Sequence, residues 1–159
     1  MSGGSRSELE VVNGPSKEYV TIHLANQLLG IPVLSVHDVH KTGTITPIPL
    51  SPGSVAGVLN LRGKIVTAID LRLHLGFPAR EEGAPSMSVV IEHEGESYSL
   101  LIDEVGEVLS IADSKFERNP VTLDERLREV SSGVYRLDGE LMIVLDVGRL
   151  LKCYVEDAA

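Results

Sequence analysis

Apolar and polar residues along this chain follow the period of short strands. In "VTIHL", Val20, Ile22 and Leu24 fall on one face and Thr21 and His23 on the other, the pattern of a half-buried strand. "LLGIPVLSV" from 28 to 36 and "SYSLLIDEV" from 97 to 105 are more uniformly apolar, as strands covered on both faces are. Turn chemistry separates the runs: "ANQ" near 26, "TPIPLSPGS" at 46 to 54, "EHEGES" at 92 to 97 and "LDGE" at 137 to 140. The pattern predicts about ten short strands, with helix signals only after Asp70, after Asp146 and in "LDERLREV".

The chain also aligns with itself. "GVLNLRGKIVTAIDLRLHL" from Gly57 lies over "GVYRLDGELMIVLDVGRLL" from Gly133 with six of 19 positions identical at an offset of 76. A weaker match sets "VTIHLANQLLGIPVLSVHDV" from Val20 over "VVIEHEGESYSLLIDEVGEV" from Val89 at an offset of 69, so seven extra residues fall between Ile111 and Gly133. Two strand-rich units of roughly 55 to 60 residues fill most of the chain, too few for a solenoid. With about five short strands per unit, small closed barrels are the natural way to remove exposed edges. The repeat leaves open whether each barrel is contiguous chain or exchanges strands with the other.

Residues identical in both units are assigned to the scaffold, and differing residues at exposed tips are free for function. Gly63 and Gly139 make hairpin turns, and Asp138-Gly139 is a type I′ signal. Asp70 and Asp146 end an apolar strand and precede a helical pattern, where a carboxylate caps free N–H groups. Arg62 differs, because its counterpart is Asp138, of opposite charge. A solvated turn arginine and a partner contact both fit it at this point, since a guanidinium is enriched at the energetic centres of interfaces. Asp38 has an acidic counterpart in Glu107, which favours a structural or edge-protecting charge.

Composition narrows the function classes. Of 159 residues, 23 are acidic and 14 basic, a net charge of −9 that repels nucleic acid and anionic membrane surfaces. With 4% aromatic residues and no Trp, the core must be built mainly from Val, Ile and Leu. A single cysteine, Cys153, gives no internal disulfide and fits a reducing cytoplasm. Residues 1–17 read as a flexible N-terminal tail without a signal-peptide core, 18–153 as the folded domain and 154–159 as a C-terminal tail; no run approaches the ~18 apolar residues of a membrane span.

Candidate chemistry is sparse. His37 and His40 have HxxH spacing, but strict strand alternation sends them to opposite faces and argues against a metal. His23, His74 and His93 have no paired nucleophile, and read as surface residues. Asp103 and Glu104 point to opposite faces of one strand on the same reasoning. No GxSxG, P-loop, GxGxxG or calcium-loop pattern occurs, which favours a binding module over an enzyme and calls for no metal or cofactor.

"GIPVLSVHDV", "ITPIPLSPGSVAGVLNLRGKIVTAIDLRLHLG", "LLIDEVGEVLSI" and "GVYRLDGELMIVLDVGRLL" together resemble the CheW family of bacterial chemotaxis coupling proteins. The likeness runs from about Tyr19 to Leu151, and "NLRG…V…IDL" is its most specific part, shared with the regulatory domain of CheA kinases and the coupling domain of CheV. It implies an all-β fold of two pseudo-symmetric five-stranded β-barrels with short helices. It also implies a cytoplasmic, non-enzymatic adaptor that joins chemoreceptor tips to the regulatory domain of the histidine kinase CheA, in arrays at the inner face of the membrane. The receptor tips it implies lie along an apolar groove between the barrels, at Val36, Asp38, Val39 and Arg62 with Val105 as a wall of that groove, and the kinase contacts fall on the second repeat and the loop from Asp113 to Val130. The chain departs from the family at Asp38, usually Glu, and at Ser99, often Gly. A coupling protein of a related chemosensory pathway controlling pili, gliding or second-messenger output is an alternative; a small-ligand sensor or enzyme using the groove is a further one.

Overall fold

The computed structural model describes residues 14–50 and 53–158, with side chains as far as Lys152. Ten strands form in order: β1 (Ser16–Leu24), β2 (Gln27–Pro32), β3 (Val36–Lys41), β4 (Val55–Leu61), β5 (Lys64–Asp70), β6 (Met87–His93), β7 (Glu96–Ile102), β8 (Glu104–Ala112), β9 (Ser131–Leu137) and β10 (Glu140–Leu145). Helices α1 (Leu71–His74), α2 (Glu125–Val130) and α3 (Val147–Ala158) stand at the three places the sequence marks. Asp70 accepts from the Leu73 N–H at 3.3 Å and Asp146 from the Arg149 N–H at 3.1 Å, so both act as the expected caps.

The ends differ from expectation. Ser16 and Lys17 belong to β1, paired with Ala112 and Ile111, because β8 is long enough to cover them; residues 1–13 lie outside the described residues. At the other end α3 continues to Ala158, where a tail from 154 was expected.

The strands divide into two five-stranded sheets, β8-β1-β2-β10-β9 and β3-β6-β7-β5-β4. The two repeats are therefore exchanged, each sheet taking the first hairpin of one repeat and the remaining three strands of the other. Each sheet joins the repeats twice, once antiparallel (β1 with β8, β3 with β6) and once parallel, Ile143 with Leu29 in the first sheet and Ile69 with Leu100 in the second. Each sheet is open in its own strand pairing, and one bridge just beyond an edge strand closes it. The chain leaving β3 bonds β4 through Thr46 and Val58, with N–H···O distances of 2.8 and 2.9 Å. The chain leaving β8 bonds β9 through Glu117 and Val134, both at 2.9 Å. Gly57 and Gly133 stand at these seams because a Cβ there would lie 2.1 Å from the Thr46 carbonyl oxygen and 2.7 Å from that of Glu117.

Three cores follow from strand alternation. The largest draws on both sheets, with Val20, Ile22, Leu24, Leu29 and Ile31 meeting Ile69, Val89, Ile91, Leu100 and Ile102. Tyr19, Leu28, Ile111, Tyr135, Met142 and Val144 fill the first barrel, whereas the buried hydrophobic cluster of the second is Leu59, Val66, Ala68 and Leu101. The barrels differ by matched swaps. A side chain at Gly30 would lie 2.8 Å from Met142, while in the second repeat the counterpart of Gly30 is the fully buried Ser99 and that of Met142 is the shorter Val66. The Ser99 hydroxyl has no hydrogen-bond partner among the described residues.

Two apolar runs break where single strands were expected. β2 stops at Pro32, and a 3₁₀ turn at Val33–Ser35 leaves Leu34 fully exposed. In the second repeat the bend falls at Asp103, between β7 and β8, so Asp103 and Glu104 do not share a strand.

Candidate functional site

Arg62 and Gly63 connect β4 to β5 in a two-residue hairpin with φ of 54° and 86°. Both central residues are left-handed, which is the type I′ arrangement, and the Gly63 N–H is held by the Asn60 side chain at 2.9 Å. The expected type I′ turn at Asp138-Gly139 is different, since only Gly139 has positive φ (71°). Left-handed backbone suits Gly and Asn, so an arginine there carries strain that the fold does not require.

Asp38 reaches this tip from β3. A bulge opposite Val90 and Ile91 inserts His37 as an extra residue, and the Asp38 carboxylate accepts from the Val39 N–H at 2.8 Å. Its other oxygen lies 3.3 Å from Arg62 Nη2, with the arginine side chain 82% exposed and the aspartate 25%. β3 and β4 are the two edges of their sheet, so this ion pair crosses the seam where the barrel closes. At such exposure it adds little to stability. The counterpart tip offers nothing similar, because Asp138 and Glu107 are both acids.

The same bulge changes the faces. Val36 and Val39, three residues apart, both pack against the shared core from one side of β3. Strict alternation therefore does not hold for His37 and His40, and the geometric argument against a metal fails there. Among the described residues no group of three His, Cys, Asp or Glu is gathered there. Val105 is the repeat counterpart of Val36 on β8 and packs on the shared core from the other sheet. Its neighbour Val108, counterpart of Val39, is 54% exposed. The structure thus joins Arg62 with Asp38 and Val36 with Val39, and connects Val105 to them through the common core. His23, His74 and His93 are half-buried rather than on the open surface.

One residue with a strong electrostatic signature was not singled out in the sequence. Asp103 accepts two hydrogen bonds from Arg72 at 2.9 and 2.7 Å, two from Arg80 at 3.3 and 3.1 Å, and one from the Ala25 N–H at 2.8 Å. The Arg72 bonds chiefly hold its carboxyl down at about 2, against the opposing effect of burial. Its repeat counterpart, the exposed Leu34, marks it as particular to the second repeat, and that contrast was legible.

Two surface depressions lie elsewhere. One of about 550 Å³ is lined by Leu75, Gly76 and the α2 residues Glu125, Arg126 and Glu129, with Asp124. The other, of about 320 Å³, opens at the mouth of the first barrel over Tyr19 and Tyr135. Those hydroxyls are 3.1 Å apart, and burial pushes the Tyr135 phenol up. Neither depression includes Val36, Asp38, Val39 or Arg62.

Exchanged barrels carrying a charged hairpin tip paired across a closing seam define a two-barrel β module with an exposed charged tip beside half-buried valines. Residues 18–153 match the CheW-like domain, and the chain belongs to the CheW family, whose members are adaptor or scaffold proteins of chemotaxis. It is 29% identical over 143 residues to the chemotaxis protein CheW of Treponema pallidum, covering 87% of this chain and 84% of that protein. The crystal structure of the scaffolding protein TtCheW from Thermoanaerobacter tengcongensis superposes with a TM-score of 0.77 at 31% identity, covering 87% of this chain and 94% of that one. Protein FrzA of Myxococcus xanthus is 32% identical over a shorter stretch of 57 residues, 36% of each chain.

Proposed function

We propose that this chain couples the cytoplasmic tips of chemoreceptors to the histidine kinase CheA, acting by connection and without catalysis, in cytoplasmic arrays beneath the membrane. The observation that carries the receptor contact is Arg62, held in a left-handed turn and clipped to Asp38 beside the apolar Val36 and Val39. A receptor helix laid along this rim buries its aliphatic face, each leucine-sized side chain contributing ~1.5 to 3 kcal/mol, while the guanidinium orients it. Val105 supplies a wall from the other barrel. The kinase regulatory domain is assigned to the second repeat and the loop from Asp113 to Val130, where Val121 and Phe116 are exposed. Bound to both, the adaptor biases the kinase through contacts that differ between receptor states.

Arg62→Ala tests the receptor site in pull-down and receptor-controlled kinase assays, with a thermal melt to confirm folding. Roughly tenfold or greater loss of receptor binding is expected, with Asp138→Ala retaining it. A folded Arg62→Ala protein that couples normally removes Arg62 from the site. The match to FrzA, which carries another name, supports a second reading in which the same coupling serves a related chemosensory pathway. The receptors and kinase that co-purify with the protein distinguish the two.

A further inference from the structure

The two repeats are joined by residues 75–86, between α1 and β6, and the first half of this connection is tied to the fold. Phe77 donates its N–H to the Arg72 carbonyl at 2.8 Å and packs on the shared core. Arg72 Nη1 donates to the Pro78 carbonyl at 3.0 Å. Arg80 then lays its guanidinium on Asp103, with its side chain only 13% exposed.

We propose that the Arg80–Asp103 contact is a latch that keeps strand exchange within one chain, and that its release lets a second copy of this chain exchange halves, giving a reciprocal dimer. Every strand pairing, both closing bridges and all three cores can recur when the first repeat of one copy packs with the second repeat of another. The two forms then differ mainly in the course of the connection and in the entropy of association. Arg72 belongs to the first repeat and Asp103 to the second, so their bond recurs in both forms. Arg80 lies on the segment whose course must change. Twelve residues reach roughly 40 Å when extended, enough to cross between copies. Gly76 and Gly83, both left-handed at φ of 86° and 83°, give that segment its folded-back course.

The test is refolding from denaturant over a range of protein concentrations, followed by size-exclusion chromatography with light scattering. Arg80→Ala is expected to raise the dimer fraction severalfold over the parent, and the dimer to persist on dilution until it is unfolded again. Tyr19→Phe, which removes a hydroxyl bond between the repeats to Tyr135 far from the connection, is expected to lower the melting point with the monomer–dimer partition unchanged. A variant lacking residues 81–84, which removes the turn closed by the Ala84 N–H on the Glu81 carbonyl and shortens the connection to eight residues, is expected to be dimeric. The proposal is overturned if Arg80→Ala matches the parent at every concentration, if the shortened variant folds as a monomer, or if any dimer dissociates on simple dilution.

Discussion

At the scale of single residues, Arg62 is held in a backbone conformation that another residue would adopt more easily. An L-residue in the left-handed region costs roughly 1 to 2 kcal/mol, and its exposed ion pair with Asp38 offsets little of this. Arg62→Gly is therefore expected to stabilise the protein by about 1 kcal/mol in denaturant melts while weakening receptor capture, a pairing that a turn residue without a partner would not give. A less stable Arg62→Gly protein would remove the strain argument. Comparing the repeats was enough to isolate this position, because the scaffold tolerates Asp138 in its place. It could not disclose the contact with Asp38. That residue read as a structural charge because Glu107 matches it, and only barrel closure brings the two edges of the sheet together.

Among the elements, bulges and corners carry what the alternation pattern does not. The faces of "VTIHL" and the three helix starts were legible because each depends on neighbours in the chain. The bulge at His37, which puts Val36 and Val39 on one side, depends on the partner strand β6 and was not. Asp103 belongs to this scale, since it ties α1, the β1–β2 turn and the connection between repeats at one corner. Its carboxyl stays ionised down to about pH 2, against an ordinary value of 3.8. The contribution is complete above about pH 4 and is lost as pH falls from there toward 2, on the order of 2 kcal/mol in all. Denaturant melts at pH 5, 3 and 2 should show the parent losing stability faster than Asp103→Asn. Equal losses in both proteins would locate the acid sensitivity elsewhere.

The whole molecule is governed by exchange. Two units of about five strands were readable from the self-alignment, but the same alignment fits contiguous and exchanged barrels equally well. The difference lies in the parallel pairing of β2 with β10 and β5 with β7, contacts remote in sequence. Because the largest core takes side chains from both sheets, neither repeat can bury its own apolar face. A fragment of residues 1–79 and one of residues 80–159 are each expected to remain unfolded alone and to recover strand circular dichroism as an equimolar mixture. Independent folding of either fragment would show that the core is less shared than its contacts indicate.

That interdependence also constrains descent. One repeat contains five strands and completes no sheet, so an ancestral single unit would have folded only as a twofold pair of identical chains. Joining two such units end to end would have freed their tips from the identity that symmetry imposes. Arginine at residue 62 and aspartate at residue 138 show that the two tips are free to differ in charge.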